Sequence, residues 1–359
     1  MEALGNTVTK ENVVGKSEHV LGVELLRCYM AFMVVLAHFG GNTLFPAEGI
    51  LCIFGGFHVP VFMFLSFLLC GKYFFYPTKE GVSKRLVRIL VPLLFWGVAA
   101  FLCVSIKNLV MGQSFADSIP LRALCWQLLT GHSGMNSPLW YLAVTLWISV
   151  LFWMLGVLFE KKVFLLLISV LAVISVVSQY VGLNYALFGS LPYELKYPLG
   201  RMTEMIPYAS LGVLCSMALP KLNKLNFKQH LIIFIVAIGL IAVVMLIKHF
   251  FIHYTIEGFG YNGIYSIIIS LLLTVSAFTV PLNYVRNKVF VKVVRKMTDY
   301  TMGVFCMHIL VGGLTEYVFL QLGFQTRTIL MCLAIYVVSY IISLLISLIP
   351  LKQTDYLVR

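Results

Sequence analysis

Charge is scarce in this sequence, and acidic charge is the scarcest. Of 359 residues only 14 are Asp or Glu, and 11% are charged in all against 60% hydrophobic. With a mean hydropathy of +0.96, that balance excludes an ordinary soluble domain and points to a polytopic membrane protein. Paired cysteines are missing too. Cys28, Cys52, Cys70, Cys103, Cys125, Cys215, Cys306 and Cys332 form no Cys-x-x-Cys pair, and nearly all fall inside apolar runs. They read as small core residues, not as a disulfide framework or a zinc site. No His-Glu-x-x-His motif occurs and the acidic residues lie mostly in loops, so no metal is expected. No low-complexity linker, clear repeat or appended soluble domain is expected. Residues 1–20 are polar and mixed in charge, and no small-residue cleavage pattern follows, so no cleavable signal peptide is expected.

What is present is a series of apolar runs of about twenty residues, the length a helix needs to cross a bilayer. Ten spans are expected, near 21–39, 50–70, 88–106, 138–159, 163–181, 205–219, 231–252, 263–280, 301–320 and 328–349. The fold class is therefore all-α and polytopic. Residues 1–20 form an N-terminal tail, 21–349 a single transmembrane domain and 350–359 a C-terminal tail. The loops then set direction. Of the 26 Lys and Arg, 19 fall in the termini and the even-to-odd loops, and six in the opposite set. By the positive-inside rule both termini are cytoplasmic. The net charge of +12 is thus topological, and no nucleic-acid partner is expected. Two longer connections, 107–137 and 182–204, fall outside; the first holds an amphipathic stretch suited to the membrane interface.

The first span, LGVELLRCYMAFMVVLAHF, carries Glu24, Arg27 and His38. An ionisable residue at hydrocarbon depth costs roughly 2.5–3.5 kcal/mol on insertion scales, so each calls for a reason. Arg27 and His38 are eleven residues apart, which puts them within roughly 20° on one helix face and about 16 Å apart along the axis. With the N-terminus inside, Arg27 lies toward the cytoplasm and His38 toward the outer face. His38 suits a general base, or an interfacial histidine with ordinary hydrogen bonds. Arg27 suits anion binding, or snorkelling with Glu24 as its i−3 partner.

Other candidates follow along the chain. GGFHVPVFMFLSFLL places His58, Pro60 and Ser66 in the second span, where a proline kink often lines a cavity. In SKRLVRILVPLLFW, Arg85 and Arg88 stand one turn apart before the third span. A helix start with two arginines fits a phosphate, and positive-inside residues fit the pattern equally. MNSPLWYL brings Asn136 and Trp140 to the outer start of the fourth span. Glu204, with Arg201 three residues before it, forms a local ion pair or faces an external ligand, and His308 sits inside the ninth span.

In order, these pieces resemble the membrane acyltransferase-three family of bacterial O-acyltransferases. LLRCYMAFMVVLAHF is similar to its Arg-x10-His signature, FHVPVFMFLSFLL to its histidine–proline–phenylalanine–serine motif, and RLVR to its Arg-x-x-Arg motif. SPLWYL and YTMGVFCMHIL complete the series. The chain departs from the pattern at Phe67, where a glycine usually follows the motif serine, and at Phe305, where a tyrosine often stands. The resemblance implies acyl transfer from cytosolic acyl-CoA to a hydroxyl of a cell-surface or lipid-linked saccharide. It makes His38 the base, Arg27 its partner, and Arg85 and Arg88 the acyl-CoA side. Glu24, His58, Ser66, Asn136, Trp140, Glu204 and His308 would line the cavity or meet the acceptor. Acyl-CoA is then a co-substrate, with no bound cofactor and with membrane lipids around the protein. Longer relatives add an extracytoplasmic hydrolase-like domain; this chain is expected to act alone, as a homo-oligomer, or with a separate extracytoplasmic transferase. A transporter of polysaccharide or lipid-linked sugar is the rival reading, since polar residues in spans fit it as well. A sensor would need an output domain.

Overall fold

The computed structural model describes residues 20–40, 57–110, 112, 121–131, 136–181, 188–251, 264–285, 287–349 and 354–358, without the side chains of 248–251 and 354–355. No strand occurs among the described residues. In chain order the helices are α1 (Leu21–Phe39), α2 (His58–Cys70), α3 (Lys72–Phe75), α4 (Lys79–Val110) and α5 (Leu121–Thr130). Then come α6 (Trp140–Leu158), α7 (Lys161–Tyr180), α8 (Tyr193–Ser216), α9 (Leu219–Leu222) and α10 (Phe227–Phe251). The chain ends with α11 (Ile264–Thr279), α12 (Lys288–Asp299), α13 (Thr301–Gln321), α14 (Ile329–Ser347) and α15 (Thr354–Val358). Short 3₁₀ turns, Ser137–Leu139 and Pro281–Tyr284, lead into α6 and out of α11.

Eight of the described helices are long and apolar enough to cross a membrane: α1, α4, α6, α7, α10, α11, α13 and α14. This is a multi-pass membrane protein. Two expected spans take other forms. The 50–70 segment is described from Phe57 and is helical for 13 residues as α2, about 20 Å of rise against roughly 30 Å of hydrocarbon. The sixth segment is longer than its apolar core, because α8 begins at Tyr193 and carries Lys196, Arg201 and Glu204 in its first half. It also contains Pro198 and Pro207, so the chain expected to be loop at 182–204 is helical from 193 onward. The third span likewise starts earlier than its apolar run, at Lys79.

Apolar side chains cover the outside as well as filling the core, and polar ones are buried among them. Ile232, Ile235, Val236, Leu246, Val173 and Leu166 are exposed, whereas Ser149, Thr145, Ser270, Thr274, Asn136 and His308 are buried. An apolar exterior suits lipid, and polar groups are held inside the bundle. Helix α1 is largely enclosed. That helix packs on α2, α11, α12, α13 and α14, and Gly22, Ala31, Val34 and Val35 are buried against them.

The closest pairing joins α2 to α8. Gly212 makes it possible: a Cβ there would lie 2.5 Å from the Phe64 carbonyl oxygen and 3.0 Å from the Leu68 nitrogen. Both are backbone atoms and cannot swing away. The C-terminal segment is also seated. Leu357 and Val358 are buried, and Trp96 Nε1 donates to the Leu357 carbonyl at 3.0 Å.

Gly212→Val is expected to lower thermal stability by about 1–3 kcal/mol through overpacking. Gly313→Ala, on an open stretch of α13, should leave it within about 0.5 kcal/mol. Thermal unfolding of the detergent-purified variants measures both.

Candidate active site

Helices α1 and α13 run side by side, and two contacts link them in the same order along both. At one level Arg27 Nη2 donates to Thr301 Oγ1 at 3.4 Å. At the other, the His38 and His308 rings lie 5.1 Å apart, tilted by 44°. The upper contact depends on Gly312, one turn beyond His308, where the Phe39 ring occupies the space a side chain would take. Seating Phe39 there brings its neighbour His38 onto His308. His58, at the start of α2, joins them: each of the three histidines lies within electrostatic range of another. His38 is exposed on its other side, while His58 and His308 are buried.

His308 is held by its own helix. Its Nδ1 donates to the Phe305 carbonyl at 2.8 Å and more weakly to that of Val304 at 3.2 Å. Asn136 grips the same turn, its Nδ2 donating to the Cys306 carbonyl at 2.8 Å, and its Oδ1 is buried without a hydrogen-bond partner among the described residues. Gln127 of α5 in turn fixes the Asn136 backbone, donating to its carbonyl at 3.1 Å.

The Arg27 end is buttressed by α12, whose sequence KVFVKVVRKMTD sets Val291, Val294 and Thr298 on one inward face. Thr298 Oγ1 donates to the Glu24 carbonyl at 3.1 Å and meets Cys28 Sγ at 3.4 Å. Glu24 does not take Arg27 as its partner, as helix spacing suggested; its Oε1 lies 3.8 Å from Arg295 Nε. A tertiary neighbour has replaced the local one. Arg27 has no carboxylate within ion-pair distance among the described residues, although Asp299 and Glu24 exert their field on it.

Arg85 shows the same lack more sharply. It is buried, and its Nε donates to Ser149 Oγ at 3.0 Å, Nη1 to the Ser66 carbonyl at 3.1 Å and Nη2 to Ser66 Oγ at 3.2 Å. The guanidinium stacks 4.5 Å over Phe67 and 5.5 Å over Phe74. Thus Phe67, the departure from the expected glycine, is the platform under Arg85. Every partner among the described residues is neutral. Arg88 is exposed, so the two arginines do not share one face, and α4 begins two turns earlier, so neither sits at a helix N-terminus. Tyr141 of α6 is buried and within electrostatic range of both Arg27 and Arg85.

The remaining candidates belong to a separate group. Arg201 Nη1 and Glu204 Oε2 pair at 2.6 Å, half-buried, and Arg201 lies 5.2 Å over the Trp140 ring. Among the described residues no group of His, Cys, Asp or Glu has the geometry to hold a metal. His249 and His253 are spaced four apart, but their side chains lie outside the described residues.

A two-level site of this kind, with histidines above and unneutralised guanidinium groups below, is suited to group transfer from an anionic donor. The family model described as an acyltransferase domain matches residues 20–349. The chain belongs to the acyltransferase-3 family. No curated protein and no solved structure matches it. In this acyltransferase-3 chain the matched region runs from α1 through α14 and so contains both levels of the site.

Arg85→Met tests why the buried guanidinium is kept. The methionine stem retains the stacking on Phe67 and Phe74, and Ser149 Oγ still donates to the Thr145 carbonyl at 2.6 Å. Removing a desolvated charge offsets the lost hydrogen bonds, so stability should change by no more than about 1–2 kcal/mol. A much larger loss in thermal unfolding would make Arg85 a structural tie alone.

Proposed function

We propose that this membrane acyltransferase moves an acyl group, in the simplest case acetyl, from cytosolic acyl-CoA to a hydroxyl of a cell-surface or lipid-linked saccharide. It would do so from the cell membrane, with ten spans and both termini in the cytoplasm, as the loop charges suggest. The observation that carries the reading is the pair of guanidinium groups, Arg27 and Arg85, lying inside a membrane bundle with no carboxylate partner among the described residues.

A buried cation without a counter-ion is costly, and the cost is relieved when an anion arrives. At Arg27 the α13 N-terminus adds its own positive end, since Thr301 is the first residue of that helix. A CoA pyrophosphate matches this chemistry, with Arg88, exposed about one turn further along α4 than Arg85, as a further cation. The pantetheine arm would then run along the α1 face, over the roughly 16 Å between Arg27 and His38. At its end His38 removes the acceptor's hydroxyl proton as the oxygen attacks the thioester carbonyl. The C–O bond forms, the C–S bond breaks, and the proton passes to the departing thiolate. Arg201 and Glu204, half-buried beside Trp140, would be the polar pair that meets a saccharide approaching from the other side.

Labelled acetyl-CoA, with vesicles holding the protein and glycan acceptor, provides the test. His38→Ala and Arg27→Ala should each lose at least about 100-fold in transfer rate. Wild-type rates in both would refute the assignment, and translocation of unmodified glycan would establish a transporter instead. CoA binding should weaken about tenfold or more in Arg85→Met/Arg88→Ala, the cost of one or two charge-assisted hydrogen bonds. Unchanged affinity would return both arginines to topology.

A further inference from the structure

Among the described residues, His308 is a buried ring whose hydrogen bonding is left half finished. A backbone carbonyl only accepts, so the contacts of His308 Nδ1 with Phe305 and Val304 place the ring hydrogen on Nδ1. In the neutral ring Nε2 is then a bare lone pair. That atom is buried and has no hydrogen-bond partner among the described residues, and a buried acceptor left so costs about 1–3 kcal/mol. Phe39 and Phe305 close off two sides of the ring, with centroids at 6.4 and 6.2 Å. His38 is nearer, at 5.1 Å.

That distance is informative. An N–H···N bond of about 3 Å between two imidazoles, plus a ring radius of about 1.1 Å on each side, puts the centroids about 5.2 Å apart. The separation already fits a direct bond, and the orientation of His38 remains to be set. His38 is exposed on its far side, so its ring has room to turn.

The geometry points to His308 as the positioning residue for His38. Its Nε2 accepts the hydrogen of one His38 nitrogen and thereby fixes the tautomer in which the other nitrogen is bare and faces the acceptor. His308 itself gains and loses no proton. The acceptor's proton goes to the outward nitrogen of His38 and then to the leaving thiolate, as in the transfer above. The assignment rests on the acyltransferase reading for its purpose, but the histidine pair itself does not depend on that reading. Asn136 supports the arrangement from behind by holding the Cys306 carbonyl, which keeps the His308 turn from shifting.

The test uses the full-length protein in lipid nanodiscs. With labelled acetyl-CoA, His308→Ala should lower kcat about 100-fold while KM for acetyl-CoA stays within twofold. His308→Gln, whose amide oxygen can accept the same hydrogen, should recover about tenfold of that loss. Equal activity of wild type and His308→Ala, or equal losses in Ala and Gln with KM raised, would overturn the role. A second arm holds even if His308→Ala fails to fold. In CoA-saturated, ¹⁵N-histidine-labelled wild type, NMR should show coupling across a hydrogen bond from a His38 N–H to a bare His308 Nε2, lost in His38→Ala. Absence of that coupling, or a His308 protonated on Nε2, would overturn it. Because this arm needs no turnover, an inactive wild type would count against the transferase chemistry while the coupling still decides the histidine pair.

Discussion

A guanidinium inside an apolar bundle must be answered by something, and in this protein the fold answers it only in part. Arg85 is tied to Ser66 and Ser149 and shelved on two phenylalanine rings, all of them neutral. Among the described residues, Arg27 reaches a threonine hydroxyl at the positive end of a helix. These contacts hold the side chains in place without cancelling their charge. In the proposed reading, the remaining imbalance is what draws an anion to the site.

Helix α13 converts that electrostatic condition into a reaction path. Because it runs parallel to α1 and touches it at both levels, the charge-bearing end and the histidine end are held in fixed register. Gly312 admits Phe39, Phe39 seats His38, and the Phe305 carbonyl sets the His308 ring. On the other side, α12 fixes the opposite end of α1 through Thr298 and Arg295. In the proposed reading, the donor's phosphates and its thioester are bound by different residues of one rigid pair.

Much of this was legible in the sequence where a residue type was out of place. Arg27, His38, His58 and His308 stand out from apolar runs, and the one-face relation of Arg27 and His38 follows from helical spacing alone. The partners did not follow. Glu24 meets Arg295 across 271 positions of chain, a tertiary pairing that local i, i+3 reasoning cannot foresee. Helix α12 was hidden because its basic residues were counted for topology; the recurrence of Val291, Val294 and Thr298 was the signal that would have found it. Arg85 and Arg88 part company because α4 starts at Lys79, two turns before its apolar run, so the turn they occupy faces inward on one side only. Phe67, read as a departure from a motif, proved to be the shelf on which Arg85 lies.

The central claim is that a single donor spans both levels of the site along α1. A structure of the protein with a non-transferable thioether analogue of acetyl-CoA decides it. The account predicts phosphates beside Arg27 and Arg85, the pantetheine arm along the α1 face, and the acyl end within hydrogen-bond reach of His38. An analogue bound elsewhere, or phosphates distant from both guanidinium groups, would contradict it.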